Sequence, residues 1–147
     1  MNRRRFLSTI EQASCGLAAG TVALSLGGCA GNAYLRGTVV DNSLRVPLDR
    51  LSAGGGQLLV TAPDQRWPLF VVRHDDGRLT TVSTRCMHRG CQVDPVAERL
   101  VCPCHGSEYT REGVVLKGPT RAPLHRFATR VAGDEIVIDL QPLGEGS

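Results

Sequence analysis

Apolar and polar residues alternate with a period of two along most of the body of this chain. "YLRGTVVD" (Tyr34–Asp41), "GQLLVTA" (Gly56–Ala62), "PLFVVRH" (Pro68–His74) and "LTTVS" (Leu79–Ser83) therefore read as strands. "DDG" (Asp75–Gly77) predicts a hairpin turn, since Asp and Gly tolerate positive φ, and Gly54–Gly56 reads as a flexible connector. Further on, "RLVC" (Arg99–Cys102), "EGVV" (Glu112–Val115), "HRFATRV" (His125–Val131) and "EIVIDL" (Glu135–Leu140) continue the pattern, the last two flanking a turn at Ala132–Glu135. No stretch has helical periodicity; "DPVAERL" (Asp94–Leu100) holds at most one helical turn, and there is no internal repeat. The expected fold is antiparallel all-β, a scaffold on which loops carry the chemistry.

The first thirty residues differ from the body. "MNRRRFLSTIEQASCGLAAGTVALSLGGCA" has a basic start, an apolar middle and a small-residue end, the plan of an export signal. "RRRFL" (Arg3–Leu7) resembles a twin-arginine signal, and "LGGC" (Leu26–Cys29) resembles a lipobox, which would make Cys29 a lipidated N-terminus. An uncleaved anchor is the competing reading, because Ala13–Ala30 is uncharged and just long enough to span. Either way the expectation is a domain tethered to the outer face of a bacterial membrane, in the cell envelope. The division expected is a signal over 1–28, a tether over 29–36, one domain over 37–143 and a tail over 144–147.

Composition adds two limits. Aromatic residues make up only 4% of the 147-residue chain, so its core rests on Val, Leu and Ile. The net charge of +3 owes much to Arg3, Arg4 and Arg5, offset by Glu11; the body is close to neutral, which argues against a nucleic-acid partner. Cysteine is informative through placement. Cys15 and Cys29 lie in the leader, whereas "CMHRGC" (Cys86–Cys91) and "CPCHGSEY" (Cys102–Tyr109) hold the other four, with two histidines.

Each of these loops offers one thiolate and one imidazole: Cys86 with His88, and Cys102 with His105. Two sulfurs and two nitrogens suit a tetrahedral zinc, or a [2Fe–2S] pair with sulfur on one iron and nitrogen on the other. Spacing leaves both open. Cys91 and Cys104 remain, one per loop; zinc would readily recruit them, and export would oxidise them to a bridge between the loops.

The tandem "CMHRGC … CPCHGSEY … GPTRAPL" resembles the Rieske iron–sulfur proteins, in particular the disulfide-containing type of cytochrome bc complexes, over about Ser83–Leu140. The resemblance implies a β-sandwich or barrel base with a small inserted cluster-binding subdomain, here about 84–124. It implies one [2Fe–2S] cluster, with Cys86 and Cys102 on one iron, His88 and His105 on the other, and a Cys91–Cys104 disulfide. Ser107 and Tyr109 occupy positions where family hydroxyls hydrogen-bond a bridging sulfide and a cysteine sulfur. Gly118, Pro119 and Pro123 belong to a loop that covers the cluster, with prolines that offer no amide proton. Gly90 and Gly106 are expected to permit tight bends. His74 and His125 lie outside the ligand loops, and Trp67 is expected to pack in the base.

Charge explains what such a ligand set does. With two thiolates and two neutral imidazoles, reduction takes the site from 0 to −1; with four thiolates it would run from −2 to −3. Histidine ligation thus raises the potential, to between roughly −150 and +300 mV. Hydroxyl donors raise it further, by on the order of 100 mV for two. Too few residues follow His105 for an oxygenase catalytic domain. What remains is an exported, membrane-tethered electron carrier, or a small electron-transfer subunit of an exported oxidoreductase such as a molybdenum enzyme. The alternative is the Rieske subunit of a quinol–cytochrome c reductase, with quinol as donor. Where bc-type proteins usually carry a leucine after the first ligand histidine, this chain has Arg89, which is costly to bury in an apolar quinol pocket. The implied partners are therefore a cytochrome, a molybdenum enzyme or bc-complex subunits.

Overall fold

The computed structural model describes residues 34–144; the expected export signal, Cys29 and the last three residues of the expected tail lie outside them. In chain order the strands are β1 (Tyr34–Arg36), β2 (Thr38–Val40), β3 (Ser43–Pro47), β4 (Gln57–Thr61), β5 (Leu69–Arg73) and β6 (Leu79–Ser83). They continue as β7 (Asp94–Val96), β8 (Arg99–Val101), β9 (Glu108–Thr110), β10 (Val115–Lys117), β11 (Arg126–Ala132) and β12 (Glu135–Pro142), with one short helix, α1 (Leu48–Ala53), between β3 and β4. Eight strands form the base, a barrel-like sheet in the order β1-β4-β5-β6-β11-β12-β3-β2. The other four, β10-β9-β8-β7, form a separate sheet inserted between β6 and β11. The fold is the expected β base with an inserted subdomain.

Four local expectations are corrected. "YLRGTVVD" is two strands, not one: the chain breaks at Gly37, where a Cβ would lie 2.5 Å from Leu44 Cδ1. "DPVAERL" is no helical turn but the hairpin β7–β8, turned by Ala97 at φ 50°. Gly54–Gly56 is no loose connector: its three amides donate to Arg50, Ser52 and Leu51 carbonyls, and Gly56 accepts from Arg73. The base is not wholly antiparallel, since β1 pairs with β4 in parallel.

β5 explains how the two units join. Its run Leu69–Val72 is buried on both sides, as a strand covered on two faces must be. Leu69 and Val71 point into the base core with Leu44, Val46, Leu51, Val60, Phe127, Ile136 and Ile138. Phe70 and Val72 point the other way, into a second cluster with Leu59, Val82, Val93, Leu100, Tyr109, Leu124 and the thiols of Cys86 and Cys102. Gly113 allows this packing: a Cβ there would lie 3.0 Å from Leu124 Cβ and 3.1 Å from Val82 Cγ1. Polar clasps fasten the insert at its edges, from Gln92 Nε2 to the Tyr34 hydroxyl (2.7 Å) and from Arg111 to Gln57 Oε1 (3.2 Å). Buried hydroxyls on and just after β6 are satisfied, Thr84 by the Pro68 carbonyl, Thr81 by Thr129 and Thr80 by His74.

Candidate metal centre

The two cysteine–histidine loops adopt the same backbone frame. In the first, the Cys86 amide donates to the Cys91 carbonyl (2.7 Å) and the Gly90 amide to the Cys86 carbonyl (2.8 Å). In the second, the Cys102 amide donates to the Ser107 carbonyl (2.8 Å) and the Gly106 amide to the Cys102 carbonyl (3.0 Å). Each frame closes at a glycine in the left-handed region, Gly90 at φ 76° and Gly106 at φ 74°, which is why glycine recurs four residues after each cysteine. The second loop tips the β8–β9 hairpin; the first is closed by an Arg85–Gln92 bridge and by the Val93 amide on the Thr84 carbonyl.

Sulfur lies inside and nitrogen outside. Cys86 and Cys102 are 1% and 2% exposed, free thiols in the second apolar cluster. His88 is half-buried and His105 exposed, with ring centroids 4.9 Å apart and planes at 87°. Cys91 and Cys104 are joined by a disulfide that locks one loop to the other. The Cys102 sulfur lies within 4.8 Å of both disulfide sulfurs, but those two are consumed by their own bond and offer no third thiolate.

The donor set fits a cationic metal core. His88 Nδ1 is buried and has no hydrogen-bond partner among the described residues, a state that costs about 1–3 kcal/mol unless a ligand fills it. Burial pushes the Cys86 thiol up, but hydrogen bonds from the Tyr109 hydroxyl and the His88 amide outweigh this and hold it below its ordinary value. Cys102 is pushed up, first by burial and then by its neighbour Cys86, with the Cys104 and His105 amides offsetting part. Two adjacent thiolates in an apolar cluster repel, so both are formed together only opposite positive charge. Cys86, Cys102, His88 and His105 are therefore the residues that would hold the group.

The flanking hydroxyls are oriented by backbone donors. Tyr109 is fully buried; its hydroxyl accepts from the Met87 amide (3.1 Å) and lies 3.4 Å from Cys86 Sγ, which leaves its proton for the sulfur. Ser107 is also fully buried and accepts from the Thr120 amide (3.1 Å), so its own proton is free to point inward. That same bond ties the Gly118–Pro123 loop to the second cysteine loop. Tyr109→Phe should remove one sulfur hydrogen bond while keeping the packing. A potentiometric titration is expected to show the midpoint lowered by about 40–60 mV, for roughly 1–1.4 kcal/mol of lost differential stabilisation. An unchanged midpoint would remove tuning by this hydroxyl.

Four supporting contacts carry no sequence signal. Trp67, in the β4–β5 connection of the base, donates its indole N–H to the Gly90 carbonyl (2.9 Å) and so supports the first ligand loop. The guanidinium carbons of Arg66 and Arg85 lie 4.6 and 5.3 Å from its ring centre. Thr120, between the two prolines, supplies the amide that orients Ser107. His74 and His125 stay away from the site: His74 bonds Thr80 and faces Glu112, and the His125 carbonyl accepts from Ser83.

A barrel-like base carrying an inserted sheet, with paired cysteine–histidine loops bridged by a disulfide, defines a β domain with a two-cysteine, two-histidine candidate metal centre. A family model for the Rieske [2Fe–2S] domain matches residues 48–128, and the chain belongs to that family. Its domain implies a [2Fe–2S] cluster. The chain is 35% identical over 102 residues to the cytochrome b6-f complex iron-sulfur subunit of Chlorobaculum tepidum, covering 67% of this chain and 54% of that one. It is 30% identical over 126 residues to the cytochrome b6-f complex iron-sulfur subunit 1 of Synechocystis, covering 65% and 71%. The chain thus spans about half the length of the Chlorobaculum relative. Among solved structures, the plasma membrane Rieske protein PetC3 of Synechocystis is 35% identical with a TM-score of 0.56, covering 64% of this chain and 96% of that one. A complex of oxygenase and ferredoxin from carbazole 1,9a-dioxygenase superposes at a TM-score of 0.58 with 21% identity, which concerns the fold alone. The described part of the protein is thus a Rieske domain.

Proposed function

We propose that this chain is an exported, membrane-tethered electron carrier, or the small electron-transfer subunit of an exported oxidoreductase, with one high-potential [2Fe–2S] cluster. Cys86 and Cys102 would hold one iron and His88 and His105 the other, the thiols being buried and the imidazoles on the solvent side. When bound, the cluster accepts and returns one electron without large changes in bonding. The chain's own residues do the rest. The apolar cluster around Leu100, Val93 and Tyr109 keeps water from the sulfurs, and Tyr109 and Ser107 offer protons that favour the reduced charge. The exposed His105 edge provides the route for exchange.

The observation that carries this reading is the burial gradient across two loops with one backbone frame, buried thiols and solvent-side imidazoles. For the tether, support comes from the basic, apolar, small-residue order of the first thirty residues and from "LGGC". No helix among the described residues is long and apolar enough to cross a membrane.

Electron paramagnetic resonance of the reduced full chain, coupled to a redox titration, tests the centre. The expected result is a Rieske-type signal with a midpoint in the upper half of the range of about −150 to +300 mV. Zinc, or no acid-labile sulfur, would overturn it. Fatty-acid labelling tests the tether: label is expected on the wild type and absent from Cys29→Ala.

A second reading, the Rieske subunit of a quinol–cytochrome c reductase, is favoured by the b6-f relatives. Against it stands Arg89, exposed beside His88, a permanent charge at the place an apolar quinol pocket would have to accept. Inhibitor-sensitive quinol turnover, restored by this chain to membranes lacking their own Rieske subunit, would decide for the second reading.

A further inference from the structure

The chain segments that build the candidate centre carry formal charge of one sign. Between Thr84 and Val93, between Cys102 and Ser107, and from Gly113 to Gly133 the chain contains no Asp or Glu. These are the two ligand loops and the segment that includes the covering loop. They carry Arg85 just before the first loop, Arg89 within it and Arg121 in the covering loop, all exposed, with Lys117, Arg126 and Arg130 elsewhere in the last segment. Arg66 joins them from outside the loops. It shares the Trp67 ring with Arg85, and the Trp67 N–H is bonded to the first ligand loop at Gly90. This contact holds two guanidinium groups beside the loop on which His88 sits.

None of the four arginines Arg66, Arg85, Arg89 and Arg121 makes an ion pair among the described residues. Carboxylates of the inserted sheet are engaged elsewhere: Glu108 by Arg99 and Lys117, and Glu98 by Arg111. Asp94 accepts from Gln92, and Asp64 is exposed two residues before Arg66. The two ligand loops, the covering loop and the Trp67 support thus present four exposed arginines with no ion pair among the described residues, on the segments that also carry the exposed imidazole of His105.

We propose that these arginines form a docking face for a redox protein whose own centre is bordered by carboxylates. The inference rests on the proposed function, because it takes His105 as the edge where the electron leaves. One electron passes from the reduced centre to the partner's oxidised centre, with no bond made or broken. All four of these unpaired cations are arginine, whose planar fork matches a carboxylate in two hydrogen bonds. Opposite potentials on the two faces steer the encounter and orient the partner over the imidazole. An anionic lipid surface would match the same charge but would cover the electron exit with an insulator, so a protein partner is the better fit.

The test uses the full chain loaded with its cluster and two c-type cytochromes of similar potential, one with net negative and one with net positive charge. Binding by surface plasmon resonance is expected for the acidic cytochrome only, weakening as salt rises. Arg89→Gln/Arg121→Gln together should weaken it by about tenfold, with electron transfer slowed in parallel. Arg89→Lys/Arg121→Lys should recover most of this loss, and Arg130→Gln, on the far part of β11, should change nothing. Equal binding of both cytochromes, no salt dependence, or an equal loss in Arg130→Gln would overturn the proposal. So would binding to phosphatidylglycerol vesicles, lost in the double variant, without binding to the acidic cytochrome. Midpoint and paramagnetic signal are measured on each preparation: a normal signal with charge-blind binding overturns the docking face alone, and a missing wild-type signal overturns the reading of the centre with it.

Discussion

Cys86→Ser is expected to leave the chain folded and without its cluster. Serine keeps the size of the side chain but supplies no thiolate at neutral pH, and the thiolate is the metal ligand. The oxidised core would then keep one uncompensated positive charge inside an apolar cluster, a placement that costs several kcal/mol. Even second-sphere changes at metal sites cost about 10–100-fold in affinity, so losing a ligand at a 1% exposed position should exceed that. Iron and acid-labile sulfide per chain should fall to background, and the visible absorption with them. Cys102→Ser should behave alike. Its wild-type thiol is the one pushed up, by burial first, so it needs the opposing positive charge most. A Cys86→Ser chain that retains full iron and sulfide would refute the assignment of this thiol as a ligand.

Cys104→Ser, the same atomic exchange two residues from Cys102, should produce a different defect. Cys91 and Cys104 are 13 residues apart in sequence, and a cross-link closing a loop of that size contributes about 3 kcal/mol in the chain-entropy account. The described domain is small enough that this corresponds to roughly 10–15 °C in apparent melting temperature. Cluster assembly should continue, because neither sulfur is a proposed ligand, but the assembled centre should decay faster as the two loops part. Cys91→Ser and the double serine variant should match Cys104→Ser closely, since each removes the same bond. Thermal melts followed in the visible band, with and without a thiol reductant, check this. Reductant should lower the wild type towards the variants and leave the variants unmoved. A Cys104→Ser chain that melts like the wild type would show that packing, not the bridge, holds the loops.

Much of the site was legible because its chemistry is local. Each ligand loop is one contiguous hexapeptide whose frame closes on its own amides and one glycine, so its cysteine, histidine and glycine stand close together in the sequence, where the resemblance to a known motif can be read. The failures occurred where a residue's partner is distant or its element too short for a period to show. Trp67 lies 23 residues from Gly90, and Thr120 lies 13 from Ser107; nothing in the sequence near either one points to its partner. α1 is only six residues, with Leu51 its one fully buried side chain, too little for a helical stripe. The hairpin in "DPVAERL" turns on Ala97, a residue type with no preference for positive φ, so it resembled a helical turn.

The sequence by itself determined the all-β character, the two ligand loops and the residue types able to hold metal, because strand alternation and hexapeptide spacing are short-range properties. Only the tertiary structure decided that β5 is buried on both faces, that thiols lie inward and imidazoles outward, and that Trp67 supports the first loop from the base. Tertiary structure also decided which arginines find carboxylates and which stand uncompensated. Burial, charge pairing and loop support depend on which segments meet across the closed sheet, and that meeting is set by packing the whole core at once.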